Sequence, residues 1–243
     1  MNASIPPQFA ARPYTSAVWV LCAPIFIPAI GMTIIFAIWP DIRIGLTDAK
    51  TAETLGPVWT ALALIHLLHF AALSYWSEHI GAGAFAGPVR TSSRWIVGAL
   101  ILGPVILILP NIIAGMVMGG VDGWEYNSDV DESVFEIQNW GPAYVIFAIV
   151  LAPIVEEMTF RGVALGAMIG RGIPPVMASV LASAAFTFLH TQYSIPALLV
   201  VFTAGLGFAW LRLASKSIIV PIVAHMAANG LIMYLQTLAP PAG

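Results

Sequence analysis

Polar residues that could hydrolyse an amide bond occur at three places in the apolar second half of the sequence. They are a pair of acids with an arginine, a single histidine, and a histidine with an asparagine one helical turn later: Glu156, Glu157 and Arg161; His190; His225 and Asn229. Hydrolysis by water needs a base that activates the water and donors that stabilise the developing oxyanion. A carboxylate beside an imidazole can supply the base, and a second imidazole with a carboxamide can supply the donors. These residue types therefore predict a hydrolytic site if the fold brings them together.

The charged cluster around Glu157 lies where charge is costly. Each charge near the centre of a bilayer costs about 2.5–3.5 kcal/mol on insertion scales. Glu157 and Arg161 are four residues apart and can pair on one helix face, whereas Glu156 is rotated by about 100° and can point into a cavity. Taken alone, the cluster also fits an ion pair that locks two helices, and a lone intramembrane histidine or asparagine also fits hydrogen-bonded packing between helices.

The three groups resemble, in order and spacing, the motifs of the CPBP family. This family comprises the CAAX prenyl proteases and bacteriocin-processing proteins and is also called Abi. The resemblance is carried by EExxxR at Glu156–Arg161, FxxxH at Phe186–His190 and HxxxN at His225–Asn229, and it covers roughly residues 142–238. Phe202-x-x-Gly205-x-Gly207 also resembles the family's helix before the last motif.

The resemblance implies a membrane-embedded endopeptidase of the glutamate type. By this resemblance Glu156 and His190 activate the water, and His225 and Asn229 form the oxyanion site. The supporting residues are Glu157, Arg161 and Phe186. Family members have also been described as metalloproteases, so zinc held by Glu156, His190 and His225 is the alternative. We expect no metal, because asparagine is a poor zinc ligand.

The composition predicts an integral membrane protein. Of 243 residues only 9% are charged and 59% are hydrophobic, whereas soluble domains carry roughly 25% charge. This balance excludes a nucleic-acid binder and a disordered chain. The single cysteine, Cys22, excludes an intramolecular disulfide scaffold. The lipid bilayer is therefore an expected partner, and nucleic acid is not.

Stretches without charge predict the positions of the spans. The longest, 172–211, has room for two helices with a turn between His190 and Pro196. Helices are the default because a span must satisfy its own backbone hydrogen bonds in lipid. The expected fold is an all-α, polytopic membrane helix bundle of about seven transmembrane helices, within a range of six to eight. The predicted helices are 17–39, 57–76, 95–118, 142–170, 175–190, 196–213 and 218–238.

The basic residues predict the orientation. If the spans alternate, one side holds six of them: Arg12, Arg90, Arg94, Arg171, Arg212 and Lys216. Only Arg43 and Lys50 fall on the other side, which favours an N-terminus inside and a C-terminus outside. We expect a multi-pass protein of a bacterial inner (cytoplasmic) membrane. It would form one integrated domain, with N-terminal transmembrane helices and an acidic outer loop in residues 1–141 and the catalytic core in 142–238.

The predicted spans place the three groups at different depths. Glu156 lies near mid-helix, His190 at the outer end of its helix, and His225 nearer the inner end of the last one. Straight, upright helices could not bring them together. Prolines offer places to break a helix: Pro153, Pro174, Pro175, Pro196 and Pro221. We therefore predict broken or tilted helices around a polar intramembrane cavity.

Two other functions remain open from the sequence. A catalytically silent subunit or assembly factor of a membrane protein complex would keep the same residues as a polar core and would have other membrane proteins as partners. A proton-coupled transporter also uses intramembrane glutamate and histidine. An endopeptidase would act on a membrane-associated protein or peptide. The sequence specifies neither this substrate nor whether it is prenylated.

Overall fold

The structure is a computed structural model that describes residues 30–31, 33–34, 37–38, 52–79, 91–118, 142–170, 172–190 and 193–238. Within these residues the chain is helical and has no strand, which confirms the all-α prediction. The elements are α1 (Ala52–His79), α2 (Ser93–Met118), α3 (Pro142 to Gly170, in five consecutive helical segments), α4 (Pro175–Phe188), α5 (Ile195–Ser215) and α6 (Ile219–Leu238). Most of the predicted first span and the acidic loop 119–141 lie outside the described residues.

The helices coincide with the predicted spans. Each predicted helix from 57–76 onward corresponds to one of α1 to α6, with ends that differ by a few residues. Among the described residues, Ser93–Val117 and Ile195–Ser215 are long and apolar enough to cross a membrane, and 59–72, 175–188 and 219–235 form shorter apolar helices. The described residues are therefore consistent with a helical membrane protein, and the number of seven spans stays a prediction.

The helix α6 packs most extensively against α2, and their backbones touch. A Cβ atom added at Gly103 would lie 1.9 Å from the carbonyl oxygen of Ala224. Small residues permit such a crossing, and in lipid close packing replaces the hydrophobic effect as the force that joins helices. Phe208 and Leu211 of α5 complete the buried cluster at this crossing. His225 directly follows the contact residue Ala224, so this crossing fixes the depth of its side chain.

The remaining surface of α2 carries large apolar side chains that no described residue covers. Val97, Leu100, Ile101, Val105 and Leu109 are all exposed on this helix. Apolar side chains that face away from the bundle suit a lipid environment. Within the described part of the chain, α2 therefore contacts its neighbours through one narrow face.

The helix α3 departs from regular α-helical geometry at two places. Phe147–Leu151 and Met158–Ala164 are π-helical, and they flank the α-helical segment Ala152–Glu157. In the first wide turn the N–H of Ala152 donates to Phe147 O, five residues earlier. Such wide turns occur frequently at functional sites. Irregular helical geometry is thus present beside the polar residues, whereas broken or tilted helices around a polar cavity stay a prediction.

Candidate active site

Glu157 and Arg161 form a fully buried ion pair within α3. Arg161 Nη1 donates to Glu157 Oε1 at 2.9 Å, and neither side chain is exposed. Their four-residue spacing predicted this pair. Burial of two charges is tolerable only when both are paired and hydrogen-bonded. The pair is therefore the ionic centre around which the other groups are arranged.

Arg161 is also held by α5 and by two aromatic rings. Its Nη2 atom donates to the carbonyl oxygen of Gly205 at 3.0 Å. The guanidinium lies 4.6 Å from the ring centroid of Phe186 and 5.7 Å from that of Phe208, distances that give cation–π attraction. A Cβ atom at Gly205 would lie 3.0 Å from Arg161 Nη2, so glycine leaves room for this approach.

His225 brings α6 into the cluster between the two glutamates. Its Nδ1 atom lies 3.0 Å from Glu157 Oε1, and its Nε2 atom lies 3.8 Å from Glu156 Oε2. Glu157 Oε1 also accepts from Arg161, so His225 Nδ1 acts as a second donor to the same oxygen and carries a proton. The ring is stacked on Phe208, with centroids 4.8 Å apart. Nε2 is thus the nitrogen directed toward Glu156.

The two adjacent glutamates have different environments. The side chain of Glu156 is 20% exposed, whereas that of Glu157 is 0% exposed. The sequence predicted this difference from their relative rotation on the helix. Glu156 is therefore the carboxylate that an entering molecule can reach, and Glu157 is the one committed to internal partners.

His190 joins the cluster through Phe186. The helix α4 ends at Phe188, and His190 follows in a turn, where its Nδ1 donates to Phe186 O at 2.9 Å. The Phe186 ring centroid lies 4.7 Å from that of His190 and 6.1 Å from that of His225. Because a carbonyl only accepts, Nδ1 of His190 bears a proton, and Nε2 is not used in this bond. Both imidazoles therefore lie against one phenylalanine ring.

Asn229 lies one turn beyond His225 on α6 and contacts the first wide turn of α3. Its Nδ2 atom donates to Ala148 O at 2.9 Å. The carboxamide has a second N–H and an oxygen beyond this bond. The resemblance implied a donor role for Asn229, and the contact with Ala148 is an additional interaction that the sequence did not indicate.

Among the described residues, no three His, Cys, Asp or Glu side chains converge as a metal ion would require. In the arrangement described, Nδ1 of His225 is bonded to Glu157 and Nδ1 of His190 to Phe186. These bonds leave Nε2 of both histidines available, so the choice between a metal-free site and zinc at Glu156, His190 and His225 stays a prediction.

Sequence reasoning missed several groups that shape the site. Phe208 supports both Arg161 and His225, and no sequence signal marked it beyond its place near Gly205. The buried atoms Glu157 Oε2, Arg161 Nε and Ser183 Oγ have no hydrogen-bond partner among the described residues. Each of these atoms could therefore form a hydrogen bond that the described side chains do not supply.

Comparisons with known proteins agree with the motifs. Residues 138–231 match the family described as "Type II CAAX prenyl endopeptidase Rce1-like". The chain is 26% identical over 160 residues to the membrane-embedded CAAX protease MroQ of Staphylococcus aureus, an alignment that covers 63% of this chain and 64% of that protein. It is 28% identical over 136 residues to the putative membrane peptidase YdiL of Bacillus subtilis, which covers 56% and 54% respectively. The chain thus spans less than two thirds of the length of either relative. No solved structure matches the chain significantly.

Proposed function

We propose that this protein is a glutamate-type intramembrane endopeptidase of the CPBP family. The match of residues 138–231 to the Rce1-like endopeptidases supports this proposal. Its substrate would be a membrane-associated protein or peptide. One observation carries the proposal: an accessible carboxylate, Glu156, lies beside an imidazole whose ring is fixed by a buried ion pair. A polar core that served only to join helices would not need the accessible member.

In the proposed reaction Glu156 and His190 activate water. Water attacks the carbonyl carbon of the scissile bond as its proton passes to Glu156, with the lone pair of His190 Nε2 as the assisting acceptor. The carbonyl oxygen becomes an oxyanion, which His225 and Asn229 stabilise with N–H donors. For His225 this requires a proton on Nε2 as well, because its Nδ1–H is bonded to Glu157. The carbon–nitrogen bond then breaks, and the leaving amine takes the proton back. Atoms and charges balance without a metal or a cofactor.

The remaining assignments follow the sequence. Residues 142–238 form the catalytic core and 1–141 the N-terminal part of one integrated membrane domain. The N-terminus lies inside and the C-terminus outside a bacterial inner membrane. Cysteines placed singly in the loops and labelled from one side would test this orientation.

The proposal is tested by comparing membrane-protein profiles of cells that carry the wild type, Glu156→Gln or His190→Ala. Both variants should accumulate the same uncleaved protein or peptide, whereas Thr159→Val should behave as the wild type. Thr159 is a matched control because it is buried on α3, and its side chain donates to Val155 O of the same helix and to no other described residue. Identical profiles in all strains would contradict the peptidase and favour the silent subunit.

A further inference from the structure

The carbonyl of Ala148 lies in a place where the α3 backbone provides no donor. The wide turn Phe147–Leu151 shifts the hydrogen-bond pattern by one residue, so that the N–H of Ala152 reaches Phe147 O. In the same pattern the donor for Ala148 O would be residue 153. That residue is proline, which has no N–H. The combination of a wide turn and Pro153 therefore leaves Ala148 O open to a partner from another helix.

Asn229 of α6 is that partner. Its Nδ2 atom donates to Ala148 O at 2.9 Å across 81 residues of sequence. Only the nitrogen side of a carboxamide can face a carbonyl oxygen favourably, so this bond also decides where Oδ1 and the second N–H point. An amide without such a partner could turn over by 180° and present its oxygen instead.

We propose that Pro153 is a positioning residue: because it has no N–H, it leaves the Ala148 carbonyl free to accept from Asn229, and this bond fixes the orientation of the Asn229 amide. Pro153 is buried and lies three residues before Glu156, close to one turn along the helix. Pro153 thereby sets the geometry of the Ala148 carbonyl on α3 and of the Asn229 amide on α6. The inference rests on the proposed function for its catalytic consequence, in which the second N–H of Asn229 serves the oxyanion.

The test compares two replacements at position 153 that differ only in the missing donor. Pro153→Ala restores a backbone N–H, which competes with Asn229 for Ala148 O. L-Lactic acid, incorporated at the same position by nonsense suppression, has the side chain of alanine but an ester oxygen in place of the N–H. We expect kcat to fall about tenfold or more in Pro153→Ala at nearly constant KM, and we expect the lactic acid protein to retain most of the wild-type kcat. Equal activity in the two proteins would overturn the proposal, because a purely structural role of the proline ring affects both alike.

A second measurement needs no activity. Asn229→Ala should lower the thermal unfolding midpoint in the wild type, because Ala148 O then loses its donor. In the Pro153→Ala background the same change should cost clearly less, because the helix now supplies the donor. If the effects of Asn229→Ala and Pro153→Ala on the unfolding midpoint are additive, Pro153 does not keep Ala148 O available for Asn229, and the proposal is refuted. If Pro153→Ala fails to fold, Asn229→Ala is measured in the lactic acid protein instead. A drop in the unfolding midpoint as large as in the wild type supports the proposal, and a smaller drop overturns it. If the two substitutions are coupled in the unfolding midpoint but the protein cleaves no substrate, the proposed peptidase is rejected and the positioning role of Pro153 is retained.

Discussion

Gly103 is not one of the proposed site residues, yet Gly103→Ala should impair the site. The Cβ atom of an alanine at this position would lie 1.9 Å from Ala224 O and 2.5 Å from Ala224 C. Both atoms belong to the backbone of α6, which cannot rotate away as a side chain can. The two helices must therefore separate where they cross.

The size of the movement follows from the contact distance. Real Cβ atoms essentially never approach another atom within 3.0 Å, so α6 must shift by at least about 1.1 Å. His225 directly follows Ala224, and its hydrogen bond to Glu157 is 3.0 Å long. A shift of this size exceeds what such a bond tolerates. Misplacement of a reacting group by about 1 Å can cost on the order of 100-fold in rate, and overpacking typically costs about 1–3 kcal/mol of stability.

Gly98→Ala is the matched control on the same helix. A Cβ atom at Gly98 would meet no atom of the described residues within 4 Å. Alanine favours a helix over glycine by roughly 1 kcal/mol, a gain that both variants share. Purified proteins in one detergent should therefore show a lower unfolding midpoint for Gly103→Ala and an unchanged or higher midpoint for Gly98→Ala. Cleavage of a fixed substrate should be lost only in the former, and equal midpoints and activities would refute the close-crossing argument.

Three further predictions concern the buried cluster. Arg161→Met should lower stability by about 3–5 kcal/mol, because Glu157 stays fully buried and loses its arginine partner; a denaturant titration that shows less than 1 kcal/mol would contradict this role. Gly205→Ala should lower the melting temperature modestly, because its Cβ atom would lie 3.0 Å from Arg161 Nη2 and from Ser183 Cβ, and Gly98→Ala again serves as the reference. Activity should withstand a strong zinc chelator, and a loss that added zinc restores would reject the metal-free mechanism.

The helices were predictable because charge is scarce in this chain. The boundaries of α2, α5 and α6 follow from stretches without charged residues, since a charge inside a span is expensive. The pairing of Glu157 with Arg161 was equally predictable from the sequence, because residues four apart on a helix lie on the same face. These features depend on local sequence alone.

Contacts between helices were not predictable in the same way. The sequence marks Gly103 and Ala224 only as two small residues among many, and their contact depends on the rotation and depth of two helices. The bond from Asn229 to Ala148 requires the wide turn in α3. Pro153 indicated an irregular helix there, but no local rule says which carbonyl is freed or which side chain approaches it. The catalytic roles of the site residues remain predictions.

The spacing of Glu157 and Arg161 also bears on how the protein enters the membrane. Both residues belong to α3, so they can neutralise one another as soon as this helix forms, before α5 and α6 are in place. Inserted separately, each charge would cost about 2.5–3.5 kcal/mol, whereas a paired segment carries a smaller penalty. His225 and the Gly205 carbonyl are supplied by helices that are synthesised later. The polar centre of the protein is thus divided between an early pair that makes insertion tolerable and later contacts that select the correct neighbours.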